Sequence, residues 1–300
     1  MNPSETDFIT RDNILPFIQL NQYIDFVNMC QFVRQYRYMA LLRGPAGSGK
    51  TVSAKRYRDS EPVITANGQS PVLYFQLARG EDNHKSFYRR VIEAITEAPY
   101  QKRLSAADLI GEAKRLLRRY GYDLMIVDEI GNMNNDGIEG ARTLHDELSI
   151  PIVFIGMDDG FANRMSNELP QFYSRLAQIL EFGMLDFDTL KYIVLPAISP
   201  DSLLRFSPDQ KDADKITQVI FDGAGGSEEK GARFRDIQMI LVRCHHLQRT
   251  EQEYMRGEGK TLRSLNLNVK LVKQATLRSK QRETTVRKSP PPSDNLIQKI

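Results

Sequence analysis

The chain has 300 residues, 41% of them apolar and 26% charged, which suits one large globular domain or a core domain with a smaller partner. No apolar run approaches the roughly 18–20 residues that span a bilayer, and the polar, acidic start from Met1 to Asp7 has the wrong character for a secretory signal, so a cytoplasmic protein without a membrane partner is expected. The net charge of +3 is uneven: residues 251–300 carry 11 Lys/Arg against 5 Asp/Glu, leaving 30 against 33 before them, so a near-neutral body has a basic tail that suits either an anionic partner such as DNA or plain solvation.

Residues 1–19 show no clear period and read as an N-terminal arm, packed on the body or partly mobile. From Leu20 to Tyr36 the set Leu20, Tyr23, Ile24, Val27, Cys30 and Val33 recurs at helical spacing. Phe26, Met29 and Phe32 widen that stripe, so most of this helix is expected to be covered. A first strand follows near 38–43, and Gly44-Pro45-Ala46-Gly47-Ser48-Gly49-Lys50-Thr51 comes directly after it. This is the G-x-x-x-x-G-K-[ST] pattern in a strand–loop–helix setting, with Val52 opening the helix. Its glycines let backbone N–H groups converge on one polyanion, and the helix adds its N-terminal donors. Gly44 through Val52 would therefore hold a nucleoside triphosphate (ATP, on the resemblance given below), with Lys50 reaching the β- and γ-phosphates and Thr51 on Mg2+.

Asp59-Ser60-Glu61-Pro62 ends that helix, and the apolar run 71–77 predicts a second buried strand. A helix follows around 87–95. Ser105 stands three residues before Asp108, a variant capping box, and opens a helix that Gly121 stops. The stretch Leu124-Met125-Ile126-Val127-Asp128-Glu129 reads as a third strand ending on two carboxylates, the Walker-B arrangement. Asp128 would then serve the Mg2+ shell and Glu129 would activate water as general base. A helix near 137–148 precedes a fourth strand, Ile150 to Gly156, with Pro151 at its start. Such alternation predicts an α/β fold with a parallel sheet covered on both faces, whose ligand lies beyond the C-terminal strand ends.

Beyond Gly183 clear strands cease. Helices are expected at 187–195, 209–222 and 232–248, forming a small helical second domain over 185–250 after an α/β domain over 20–184. Residues 251–300 show no sustained period; Ser289-Pro290-Pro291-Pro292-Ser293 marks a polar linker, and the apolar Leu296–Ile300 after it is either terminal noise or a docking peptide. Cys30 and Cys244 have no metal-ligand spacing and suit buried thiols. The same holds for His84, His145, His245 and His246, and the adjacent pair cannot point one way on a helix.

Together the phosphate loop, the Asp-Glu pair, the fourth strand and the appended helices resemble an AAA+ ATPase. Within that class the layout is similar to the transposition-regulator ATPases of the TnsC/TniB and MuB type, over roughly residues 20–250. The similar stretches are 41–53, 124–129, 150–156 and Phe172-Tyr173-Ser174-Arg175-Leu176 with Ile179–Phe182 behind it. The resemblance implies a P-loop AAA+ sheet with a helical lid, and a protein that binds duplex DNA largely without sequence preference. It also implies self-assembly into a ring or helical filament that links a target-selection protein to transposase subunits. Arg175 falls where the family has its arginine finger, and Arg235 where the lid arginine lies, with Arg233 as its substitute. Lys102 and Arg103 lie close to the expected DNA-backbone contacts, bordered by Arg79 and Lys85. Lys114, Arg115, Arg118 and Arg119 form a further basic cluster or a solvated helix face. One departure is Met157, where a Thr or Asn would orient the attacking water; Met has neither hydroxyl nor amide, which leaves Asp158 as a substitute or implies slow hydrolysis. The alternatives are a loader or signalling ATPase acting mainly on proteins, and, more weakly, a small-molecule kinase.

Overall fold

The computed structural model describes residues 14–80, 83–100, 105–157, 167–257 and 265–286. Lys102, Arg103, Asp158, residues 1–13 of the arm, and the Pro-rich and final apolar stretches of the tail lie outside them. By their contacts the residues divide into two units, 19–183 and a second made of 184–300 with 1–18.

The first unit is built on β1 (Met39–Arg43), β2 (Val72–Gln76), β3 (Leu124–Asp128), β4 (Ile152–Ile155) and β5 (Leu176–Glu181), paired throughout in parallel in the order β2-β3-β4-β1-β5. The apolar runs read from sequence become β1, β2, β3 and β4, and β3 and β4 are buried along their whole length. This is the burial expected of central strands with helices on both faces. Between them run α1 (Asn21–Tyr36), α2 (Lys50–Ser60), α3 (His84–Thr96), α4 (Ala106–Tyr120) and α5 (Asn135–Leu148). The capping box forms as predicted: Asp108 N donates to Ser105 Oγ at 3.2 Å, Ser105 N donates to Asp108 Oδ2 at 3.3 Å, and Gly121 closes α4 with φ 79°. One core joins the sheet to α3, α4 and α5, with Phe87, Leu109, Leu117, Ile138 and Phe154 within it. Since β1 and β2 lie three strands apart, α2 must cross over β4 and β3 to bring the chain to the β2 edge.

Two expectations change here. The strand β5 has no counterpart in the sequence reading: at the sheet edge it is largely exposed, so Gln178 and Glu181 interrupt the apolar run that marks the central strands. Helix α1 is covered on one face only, by Tyr23, Phe26, Met29, Cys30 and Val33, while Ile24 is exposed. It packs beside β1 and β5 at that same edge.

The second unit holds the helix Phe187–Thr189 running into a π turn at Leu190–Val194, then helices Ala213–Gly223, Phe234–Gly257 and Val269–Val286. It also contains a two-residue parallel pair, Leu204–Arg205 with Leu265–Asn266, which sequence reading did not foresee. Ile14 and Leu15 are buried, and Ile14 O accepts Ser199 N at 2.9 Å, so the start of the described chain belongs to this unit. The expected lack of period after 250 is corrected by the helix Val269–Val286. It buries Leu271, Val272, Ala275 and Thr276, with the polar Lys270, Lys273 and Gln274 set among them, so the apolar period is brief in the sequence. Among the described residues no helix is long and apolar enough to cross a membrane.

Candidate functional site

The loop between β1 and α2 depends on glycine at two places. A Cβ on Gly44 would stand 2.4 Å from the backbone oxygen of Phe182, so only a hydrogen fits there. Gly49 caps α2 in the left-handed region at φ 98°, which other residues adopt only at a cost. No side chain caps α2 at this end. Ser48 Oγ is buried without a hydrogen-bond partner. Lys50, only 9% exposed, folds back so that Nζ donates to Gly44 O at 2.7 Å and Pro45 O at 2.9 Å. The loop thus sequesters its own cation against backbone carbonyls beside an unpaired hydroxyl.

Across from it, Asp128 ends β3 at 2% exposure. Its Oδ2 accepts three hydrogen bonds: from Thr51 Oγ1 at 2.8 Å, Tyr74 OH at 2.9 Å and Gln76 Nε2 at 3.1 Å. Its Oδ1 accepts Glu129 N at 2.8 Å. Burial, then the adjacent Asp128 charge and hydrogen bond, push the Tyr74 phenol far above its ordinary pKa, so it stays a donor. Glu129 is exposed and left-handed at φ 61°, a rare conformation for a carboxylate residue that turns the chain sharply after β3. At the end of β4, Met157 is 45% exposed. Thr51 and Asp128 therefore meet at the C-terminal end of β3, with Glu129 the next residue in the chain.

Sequence reasoning missed Tyr74 and Gln76. The available signal was their period: both stand on the one face of β2 that is not fully buried, and both carry polar tips in an otherwise apolar strand. Gln76 is paired in register with Asp128.

Arg175 follows the short helix Pro170–Tyr173 and enters β5. Its Nε donates to Asp146 Oδ1 at 2.7 Å and its Nη1 to Gln171 O at 2.8 Å. Asp146, on α5, also accepts Arg142 at 2.6 Å. Burial alone would raise the Asp146 pKa, but the Arg175 hydrogen bond and charge, with that of Arg142, hold it below the usual range. Arg79 and Lys85 are exposed. The second basic cluster is largely satisfied within the chain: Lys114 pairs with Glu147, Arg115 with Glu112 at 2.6 Å, and Arg119 lies over the Tyr120 ring. Arg235 is exposed in the first turn of the helix Phe234–Gly257, and Arg233 pairs with Asp236 at 3.5 Å.

The histidines take structural places. His84 bonds Asp136 at 2.6 Å, His145 bonds Ile150 O at 2.8 Å, and His245 is buried while His246 faces outward. Cys30 and Cys244 are both buried and free.

Among the described residues no group of three or more His, Cys, Asp or Glu could hold a metal. The donor set nevertheless fits a Mg2+–triphosphate, because Mg2+ takes one or two protein ligands together with phosphate oxygens and water. Thr51 and Asp128 would supply those ligands, and Lys50, Ser48 and the open turn of α2 would receive phosphate.

A search of solved structures finds the Aeropyrum pernix ORC2 protein in its ADPNP-ADP complexes, at TM-score 0.62 and 16% identity, covering 91% of this chain and 72% of that one. The Aeropyrum pernix ORC1 protein in complex with DNA follows at TM-score 0.60 and 17% identity, covering 93% and 70%. These likenesses show an α/β P-loop fold. A Staphylococcus aureus relative described as a potential ATP-binding protein is 28% identical over 195 residues, 59% of this chain and 71% of its own. The sequence profile of the bacterial TniB protein covers residues 6–182. That span takes in the phosphate loop, Asp128, Glu129 and Arg175 but stops short of the second unit's helices, and on it the chain belongs to the bacterial TniB protein family.

Proposed function

We propose that this protein is an ATP-dependent AAA+ ATPase that assembles on duplex DNA, largely without sequence preference, and links target-site selection to transposase recruitment. The observation that carries the nucleotide part is the junction of Thr51 and Asp128 at 2.8 Å beside the Lys50 loop. Family membership supports the transposition setting. The likeness to an ORC1 protein solved with DNA supports a DNA partner.

In this reading Lys50 exchanges its carbonyl partners for phosphate oxygens, and the first turn of α2 donates to the same anion. A bound Mg2+ would neutralise the phosphate charge. Thr51 and Asp128 orient that charge, and Glu129, exposed beside Asp128, takes a proton from water. Arg175 leaves Asp146 for the triphosphate of a neighbouring subunit, so assembly depends on the γ-phosphate. The helices of 185–250 act as a lid carrying Arg235 or Arg233. Lys102, Arg103, Arg79 and Lys85 meet DNA phosphates, and the basic tail is available to DNA or transposase.

Electron microscopy with an ATP analogue and duplex DNA tests the whole reading. Rings or filaments that need both ligands are expected, and Glu129→Gln should trap ATP and prolong them. A protein that stays mainly monomeric with both ligands present overturns it. Loss of DNA binding with ATP-dependent assembly retained would favour a protein-directed ATPase instead.

A further inference from the structure

Asp128 is served by more than the two motifs. Thr51 reaches Oδ2 from the start of α2, whereas Tyr74 and Gln76 reach the same oxygen from β2, two residues apart on one strand face. The Tyr74 ring is itself held by α2: Lys55 Nζ lies 5.8 Å and the Arg58 guanidinium 5.5 Å from its centroid, on the side where α2 crosses to the β2 edge. One aromatic side chain therefore fixes the spacing between the helix that carries Thr51 and the carboxylate that Thr51 must share a cation with.

A carboxylate oxygen has two lone pairs, so three donors on Oδ2 exceed its capacity for good hydrogen bonds. When a cation arrives between Thr51 and Asp128, the Thr51 hydroxyl is the donor that must turn away, because it becomes a ligand itself. The two β2 donors can stay, and a carboxylate with both in place keeps its rotamer while the loop rearranges. Outer partners of this kind commonly set metal affinity as strongly as ten- to a hundredfold.

We propose that Tyr74, with Gln76, is a positioning residue that holds Asp128 for Mg2+ and couples it to α2. This rests on the reading of the site as one for a Mg2+–triphosphate. Tyr74→Phe keeps the ring under Lys55 and Arg58 and removes only the donor. Gln76→Met keeps length and removes the amide.

The test is binding of a fluorescent ATP analogue to the full chain, first in EDTA and then across a Mg2+ titration. For Tyr74→Phe the affinity in EDTA should be unchanged. Its Mg2+ midpoint should rise by about tenfold, and more in the Tyr74→Phe/Gln76→Met double variant, with saturating Mg2+ restoring wild-type affinity. An unchanged midpoint in single and double variants overturns the proposal. Equal loss in EDTA and in Mg2+, not recovered at saturating Mg2+, also overturns it, since the pair would then serve only the fold. A wild-type chain that binds the analogue without any Mg2+ dependence overturns the Mg2+ reading of the site itself, an outcome distinct from the other two.

Discussion

Arg34 shows how much of the architecture one side chain can hold. Its guanidinium joins Glu61 at 2.7 Å, Asp123 at 2.6 Å and the Tyr57 hydroxyl at 3.0 Å, tying α1 to the C-terminal end of α2 and to the entry of β3. Although partly buried, its donors face two carboxylates, so it stays charged at any accessible pH. Arg34→Met should lower unfolding stability by about 2 kcal/mol, the scale of charge-assisted hydrogen bonds lost from a half-buried site. Urea unfolding measures this, and nucleotide binding at the far ends of the strands should persist. The residues legible in sequence were those marked by a motif of fixed local spacing, from Gly44 to Thr51 and Asp128 with Glu129. Arg34 and Tyr74 were not legible, because their partners lie 23 to 89 residues away for the one and 54 for the other. No periodicity reports which polar tips meet across such gaps.

At the scale of elements, the four strands with continuous apolar runs were readable and β5 was not, since an edge strand exposes what a central one must bury. The same strand matters to the loop. Gly44 lies against Phe182 just past β5, and Phe182 N donates to Arg43 O at 2.8 Å. Gly44→Ala must therefore push the loop or β5 aside, and a loss of ATP binding of at least tenfold is expected by analogue titration, with a lowered melting temperature. In the second unit, His245 Nδ1 accepts Leu203 N at 3.2 Å, which requires an unprotonated Nδ1. Burial, then Arg249 and His246, lower its pKa. A depressed folded-state pKa means the unfolded chain binds the proton more readily. The stabilisation is then complete above about pH 6.5 and is lost as pH falls through the folded value. Melting curves from pH 7.5 to 5.5 should show this loss. In His245→Gln, which cannot take up a proton, the slope with pH should flatten.

For the whole molecule, the division points at residues 18 and 183 put the phosphate loop, Asp128, Glu129 and Arg175 together in the first unit. The proposed assembly turns on Arg175. Arg175→Ala should spare nucleotide binding and abolish ATP-dependent higher oligomers, measured by sedimentation. Asp146→Asn should instead lower the ATP needed for assembly by about two- to fivefold, the range set by losing one partly exposed ion pair. DNA binding at two salt concentrations should show a slope of log K on log salt that Lys102→Ala reduces by about 0.9. In a lone subunit, Arg175 already has a home on α5. Joining a neighbour is then an exchange of one anion for another. A subunit meeting an empty neighbour would surrender Asp146 for nothing, whereas one meeting a loaded neighbour trades a carboxylate for a more highly charged phosphate. On the proposed assembly, idleness without ATP would thus be the resting position of the chain itself, set by where α5 puts a single aspartate.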